Sequence, residues 1–293
     1  MTIQNTKHKP KIIAFTLQKG GVGKTSCVVN LAAALSSMER SPDSMSDNTE
    51  IISKNRILII DMDVHASATR YLGVYDKKRK SIYDVLTGSC SFDSIIREVK
   101  YEFGKCGTCQ LDIAPIDVSA ASIETNWRRY NDPEHLLSNA LKKSKKIREY
   151  DYVFIDCPPE SNCLLSNIYN TCNYYILTIS PDPEAFDNIG ITYEQIKTLS
   201  DGLKEKKVIG TIINNFEKHD LTYSYWDYLF NNKDAEKYKC FENIIPHCVS
   251  YRLTVFKKTP VVFYHRNHRR IDRVYYAYMG LAKEFTERIN TIS

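Results

Sequence analysis

The sequence predicts an α/β fold built on a mostly parallel central sheet with helices on both faces. Three observations predict it. Short β-branched apolar runs alternate with longer stretches of helical periodicity, the pattern of βαβ units whose sheet is covered on both sides. The first apolar run leads straight into a glycine-rich turn that opens a helix. Two later runs end on aspartates, where the carboxyl ends of parallel strands face a ligand crevice. The expected strands are residues 11–17, 56–60, 111–114, 152–155, 174–179, 208–213 and 243–245. The expected helices are 24–38, 133–149, 187–200 and 269–289, the last amphipathic with Val274, Tyr278, Leu281 and Phe285 at helical spacing.

With 293 residues and 43% hydrophobic residues, the chain can bury one large core. No repeat or linker divides it, so residues 1–293 are expected to form a single domain. Residues 1–10 are expected to be a flexible N-terminus. Residues 39–53, rich in Ser, Asp and Asn, read as a mobile surface insertion. No apolar run approaches the roughly 20 residues of a membrane span, and the polar start lacks the apolar core of a secretion signal. A cytoplasmic protein is expected. The nine cysteines, an odd number in a long chain, point to reduced thiols rather than a disulfide framework. The net charge is +5, and the stretch 241–275, with seven Lys or Arg against two acidic residues, carries that whole excess. Such a surface suits a polyanion, because each phosphate neutralised releases counterions; a solvated face with no partner is the plainer alternative.

The strongest chemical signal is Lys19-Gly20-Gly21-Val22-Gly23-Lys24-Thr25, followed by Ser26, between the first strand and the first helix. Glycines let the backbone curl so that its N–H groups point at phosphates, and the helix N-terminus adds partial positive charge. Lys24 is placed to reach the β- and γ-phosphates, and the Thr25 hydroxyl to ligate Mg²⁺. The loop departs from the ordinary pattern in having Gln18 at its first glycine position and an added Lys19. The second element is Asp61-Met62-Asp63 after an apolar run, and the third is Asp156 closing Tyr152-Val153-Phe154-Ile155. A single strand ending in Asp is weak, since Asp often begins a turn. Together with the loop, these ends place carboxylates beside a bound triphosphate and its metal.

These residues resemble the ParA/Soj/MinD family of deviant Walker A ATPases over nearly the whole chain, from about Lys11 to Ile289. Ile179-Ser180-Pro181-Asp182-Pro183-Glu184-Ala185 and Ile244-Ile245-Pro246 also sit where the family has similar segments. The resemblance implies a P-loop NTPase domain that binds ATP and Mg²⁺ and hydrolyses ATP slowly. It implies that Lys19 reaches across a dimer to the partner subunit's ATP, and that Lys24 and Thr25 hold phosphate and metal. Asp63 then orients the attacking water, Asp61 lies near the metal, and Asp156 holds Mg²⁺ through a water. Asn214 and Pro246 become adenine-side contacts. ATP is expected to favour a homodimer and ADP the monomer. The chain departs from the family after Asp63, where Val64-His65-Ala66-Ser67 replaces Pro-Gln-Gly-Asn, and after Pro246, where the sequence reads His247-Cys248-Val249-Ser250-Tyr251-Arg252. Loss of that proline and glycine is expected to change how the loop sits.

Within the family, partition ATPases bind DNA non-specifically through basic residues of the C-terminal half. Arg252, Lys257, Lys258, Arg266, Arg269, Arg270 and Arg273 suit that role. The tyrosines among them, Tyr264, Tyr275, Tyr276 and Tyr278, are expected to pack a helix rather than stack on bases. The resemblance further implies nucleoid association and a cargo-bound adaptor of the ParB or ribbon-helix-helix type. No helix-turn-helix extension precedes the loop, so operator-specific binding is not expected. Three alternatives stand beside this reading. A MinD-like membrane switch is disfavoured by the polar C-terminus with Glu284 and Glu287. A tyrosine kinase is disfavoured because its tyrosines belong in a free tail. An iron–sulfur carrier is suggested by Cys106-Gly107-Thr108-Cys109, a lone CxxC that reads more simply as a surface turn.

Overall fold

The computed structural model describes residues 9–38, 54–102, 108–160, 163–199, 206–217, 224, 227, 230–231, 238–268 and 273–292. The expected flexible N-terminus, apart from Lys9 and Pro10, and the whole of the expected insertion at 39–53 lie outside them.

Seven strands make one sheet: β1 Lys11–Thr16, β2 Ile57–Asp61, β3 Arg97–Glu102, β4 Thr108–Ala114, β5 Tyr152–Asp156, β6 Tyr174–Ile179 and β7 Lys207–Ile213, in the order β3-β4-β2-β5-β1-β6-β7. All pairs are parallel except β3 with β4. The helices are α1 Lys24–Ser37, α2 Ser67–Tyr71, α3 Ile82–Leu86, α4 Ala121–Asn126, α5 Leu136–Lys143, α6 Cys163–Thr171 and α7 Pro183–Leu199, followed by α8 Ser250–Phe256, α9 Val261–His268 and α10 Arg273–Thr291. This is a single α/β domain with helices on both faces, as the sequence predicted.

Alternation along the strands splits the core in two. Ile13, Phe15, Ile59 and Phe154 pack under α1, α9 and α10. Ala14, Leu58, Ile60, Val153 and Ile155 face α3, α5 and α6. The apolar stripe of α10 (Val274, Tyr278, Leu281, Phe285 and Ile289) is buried against α1 and the sheet. That stripe is therefore taken, and among the described residues no helix is long and apolar enough to cross a membrane. Tyr278 is buried and Tyr275 partly so, in keeping with helix packing, while Tyr276 is exposed.

Two expected elements differ. The strand at 243–245 does not form, because the Glu284 carboxylate takes the backbone N–H groups of Glu242 and Asn243 and the Asn243 amide. The segment only touches the sheet edge, through isolated bridges Thr211–Cys240 and Phe216–Pro246. The helix expected at 133–149 breaks into a 3₁₀ turn, α5 and a second 3₁₀ turn at Lys146–Glu149. Asp93 causes the second break by accepting from the Ser144 hydroxyl and the Lys145 amide. Strand β3 was not expected, since its alternating polar sequence lies at the edge with one side exposed.

Candidate active site

The order of strands reverses at β1, with β5 on one side and β6 on the other. The crevice that opens at such a switch point is where open α/β sheets bind ligands, and the loop between β1 and α1 crosses it. Gly21 and Gly23 have φ of 77° and 90°, a left-handed backbone that side chains disfavour. At Gly23 a Cβ would also collide with the Asn214 amide. That amide donates to the Val22 carbonyl at 3.0 Å, so Asn214 braces the loop from the end of β7.

Lys24 is buried at the foot of the loop, its Nζ donating to the carbonyls of Leu17 (3.1 Å) and Lys19 (2.7 Å). Burial lowers its pKa, and the charge of Asp156 opposes that shift. Lys19 points elsewhere. Its Nζ lies 2.5 Å from Asp182 Oδ1 and 3.0 Å from Glu184 Oε2, at the start of α7.

The two strand-end carboxylates differ. Asp61 is fully buried but engaged: Oδ2 accepts from the Thr69 amide (2.8 Å) and hydroxyl (2.7 Å), and Oδ1 from the Asp63 amide (3.2 Å). Burial pushes its pKa up to about 7 against those hydrogen bonds. Asp61, expected near the metal, thus fixes the loop that carries Asp63. Asp156 is fully buried, and neither of its oxygens has a hydrogen-bond partner among the described residues. Burial raises its pKa well above the usual carboxylate range and the charge of Asp61 adds to this, while the Thr25 hydroxyl and Lys24 temper it. Two desolvated, partnerless carboxylate oxygens beside a threonine hydroxyl are hard-oxygen donors suited to Mg²⁺. The residues present fit that ion.

A cavity of about 360 Å³ joins Gly20, Lys24, Thr25, Asp63 and Pro159. A second of about 250 Å³ holds Asn214 and Pro246 and shares Gly21, Gly23, Ser26 and Tyr251 with the first. The structure therefore brings together Gly20, Gly21, Gly23, Lys24, Thr25, Ser26, Asp63, Asn214 and Pro246, with Asp156 buried near Lys24 and Thr25. Lys19 is set apart by its acidic partners. Tyr251, at the junction of the cavities, and Tyr71 were missed. Tyr251 lies in the stretch after Pro246 that departs from the family pattern, so the resemblance offered no signal for it.

The loop after Asp63 keeps its turn despite the lost glycine. Ala66 takes φ 55°, its amide bonds to the Asp63 carbonyl at 2.7 Å, and the His65 amide bonds to Asp63 Oδ1 at 3.0 Å. An alanine accepts the left-handed conformation there at a cost of roughly 1–2 kcal/mol.

Of the basic residues expected to meet DNA, Arg252, Lys257, Lys258 and Arg273 are exposed. Arg269, Arg270 and the Arg266 side chain lie outside the described residues. Helix α8 adds exposed Leu253, Val255 and Phe256, preceded by exposed Val249. Cys109 lies in β4 rather than in a turn and is buried, and Cys106 is outside the described residues. None of the eight described cysteines is in a disulfide, and no cluster of three metal-ligating side chains occurs among the described residues.

Comparison with known proteins shows what the whole chain is similar to. The AAA-domain family matches residues 10–209. The sporulation initiation inhibitor protein Soj of Bacillus subtilis is 25% identical over 280 residues, covering 94% of this chain and 97% of Soj. The chromosome partitioning protein ParA of Myxococcus xanthus is 24% identical over 285 residues, covering 95% of this chain and 88% of ParA. A candidate plasmid partition protein from Borrelia burgdorferi, solved with AMPPNP, superposes with a TM-score of 0.70 at 21% identity, covering 97% of this chain and 99% of that one. The family match spans more than half of the chain, and the Soj and ParA relatives run along nearly all of it: the chain belongs to the AAA-domain family, as a P-loop ATPase of the ParA/Soj/MinD kind.

Proposed function

We propose that this chain is an ATP-dependent DNA partition ATPase. Its ATP-bound homodimer binds DNA without reading sequence and hydrolyses ATP slowly until a cargo-bound adaptor, ParB-like or ribbon-helix-helix, stimulates it. The observation that carries the ATPase part is the buried, partnerless Asp156 carboxylate beside Lys24 and Thr25. The partition part rests on relatives named for chromosome and plasmid partition along most of the chain.

In this reading the amides of residues 20–25 and the α1 N-terminus cradle the phosphates. Lys24 exchanges the Leu17 and Lys19 carbonyls for the β- and γ-phosphates. Thr25 and Asp156 would hold Mg²⁺, which when bound would offset charge on the phosphate oxygens. Asp63, at the open side of the cavity, accepts a hydrogen bond from the attacking water and orients it. Asn214 and Pro246 contact the adenine, with Tyr251 beside them. Lys19 leaves Asp182 and Glu184 to reach the partner subunit's triphosphate, so hydrolysis waits on dimerisation. Arg252, Lys257, Lys258, Arg266, Arg269, Arg270 and Arg273 meet DNA phosphates, which position a protein without specifying sequence. The protein works in the cytoplasm on the nucleoid and needs no membrane.

Light scattering and binding of a labelled random duplex, each in ATP, ADP and no nucleotide, test this. The expected result is a dimer in ATP alone, with at least tenfold tighter duplex binding. Equal mass and equal affinity in all three conditions sink it.

A further inference from the structure

The reaction uses the carboxyl ends of the strands. The amino ends, about 20 Å away along β1, carry a second concentration of positive charge. From Leu141 to Arg148 the chain reads LKKSKKIR. Leu141, Ser144 and Ile147 are buried, while Lys142, Lys143, Lys145, Lys146 and Arg148 are all exposed. The buried positions recur every third residue and pin the segment, so that every cation faces solvent. Asp93 fixes the turn by taking the Ser144 hydroxyl and Lys145 amide.

None of the five cations has an ion-pair partner among the described residues. Nearby acids are occupied: Asp93 in the turn, Glu149 with Arg56 at 2.9 Å, and Asp132 with His135 at 2.7 Å. Beside the segment a cavity of about 840 Å³ opens at the first residues of β1 and β6, and Lys9, Lys11, Lys142, Arg148 and His135 line it with no carboxylate. Unpaired charge held on one face repels itself, and an approaching polyanion relieves that repulsion.

We propose that this amino-end face, centred on Lys142, Lys143, Lys145, Lys146 and Arg148, is a second duplex-binding surface that holds DNA phosphates without reading bases and needs no nucleotide. A lipid surface fits less well. An interfacial helix inserts exposed apolar residues, whereas the apolar residues of this segment are buried and the exposed large ones, such as Val249 and Phe256, lie elsewhere. Lysines act as point charges without the fork geometry that reads a base or a single phosphate group, so contact along a phosphate backbone is the better match. The proposal goes beyond the partition reading. If the dimer forms across the nucleotide crevices, its two amino-end faces point away from each other, and one dimer can hold two duplex segments.

The test is fluorescence anisotropy of a labelled random duplex with nucleotide-free protein between 50 and 200 mM NaCl, comparing wild type with a triple variant, Lys142→Glu, Lys145→Glu and Lys146→Glu. Each phosphate contact adds about 0.9 to the slope of log affinity against log salt, so losing three flattens it by about 3 and weakens low-salt binding more than tenfold. Unchanged slope and affinity overturn the proposal. So does nucleotide-free protein that pellets with phosphatidylserine vesicles but leaves duplex unbound. The matching Lys→Gln triple variant, checked by melting temperature, should give the same flattening if charge reversal disturbs the fold. The ATP-dependent gain in affinity survives in the triple variants and is lost with Arg252→Glu and Lys257→Glu, so failure here is distinguishable from failure of the partition reading.

Discussion

At the carboxyl ends of the strands both loop lysines are already engaged, Lys24 with the carbonyls of Leu17 and Lys19 and Lys19 with Asp182 and Glu184. At the amino ends the five cations of residues 142–148 have no such partner among the described residues. The difference separates two kinds of phosphate recognition. A buried, pre-positioned lysine can be recruited only by a ligand that replaces its internal partners, which makes the crevice selective. Exposed, unpaired lysines accept any polyanion and lose it as salt rises. Breaking one end should leave the other intact.

The largest expected effect is at Lys24. Lys24→Ala removes the cation placed for two phosphates, and a charged hydrogen bond contributes about 1.5–3 kcal/mol. ATP affinity measured by calorimetry should fall about a hundredfold, while nucleotide-free duplex binding at the amino-end face is unchanged. A Lys24→Ala protein that still binds ATP within threefold of wild type breaks the contrast.

Asp156 sharpens it from the other side, because there function is built from a destabilising group. Asp156→Ala should abolish the tightening of ATP binding by Mg²⁺ and at the same time stabilise the nucleotide-free protein. A domain of this size shifts by roughly 2–4 °C in Tm for each kcal/mol. The sign follows from burial. With its folded pKa raised well above the ordinary carboxylate value of 3.8, Asp156 binds its proton more tightly in the native state. Its stability contribution is present at acid pH and is lost as pH rises above that value. The gain from Asp156→Ala should therefore be largest at neutral pH and vanish near pH 3. A Tm that falls at neutral pH would falsify the view of Asp156 as a buried carboxyl that Thr25 and Lys24 compensate only in part.

Much of this end of the molecule was legible in the sequence, because its chemistry is local. A loop that must curl around phosphate shows itself as glycines between a strand and a helix, and strands buried on both faces show themselves as unbroken apolar runs. The hidden parts depend on partners far along the chain. Nothing near Asp61 announces that Thr69 holds its carboxylate, or that neither Asp156 oxygen is hydrogen-bonded in this way among the described residues. Asn214 bracing Val22 spans 192 residues. The failed strand at 243–245 depends on Glu284, about forty positions later. Edge strand β3 and the cations of residues 142–148 were missed for a different reason. A polar alternating run and a lysine-rich helix end look like ordinary solvated surface until the buried face and the ion pairs are known.

The smallest effect concerns how Lys19 leaves its own subunit. Its two acidic partners are partly exposed, Asp182 at 32% and Glu184 at 80%, so solvent screens each pair to no more than about 1 kcal/mol. Asp182→Asn removes one charge but keeps an oxygen for the Ser180 hydroxyl, which lies 2.6 Å away. If the pair holds Lys19 back, the variant should reach half-maximal dimer in ATP at a two- to fivefold lower protein concentration, read by light scattering. A shift in the opposite direction carries a different lesson. Asp182 would then receive the partner subunit's Lys19, and the contact seen within one subunit would stand in for one made across the dimer.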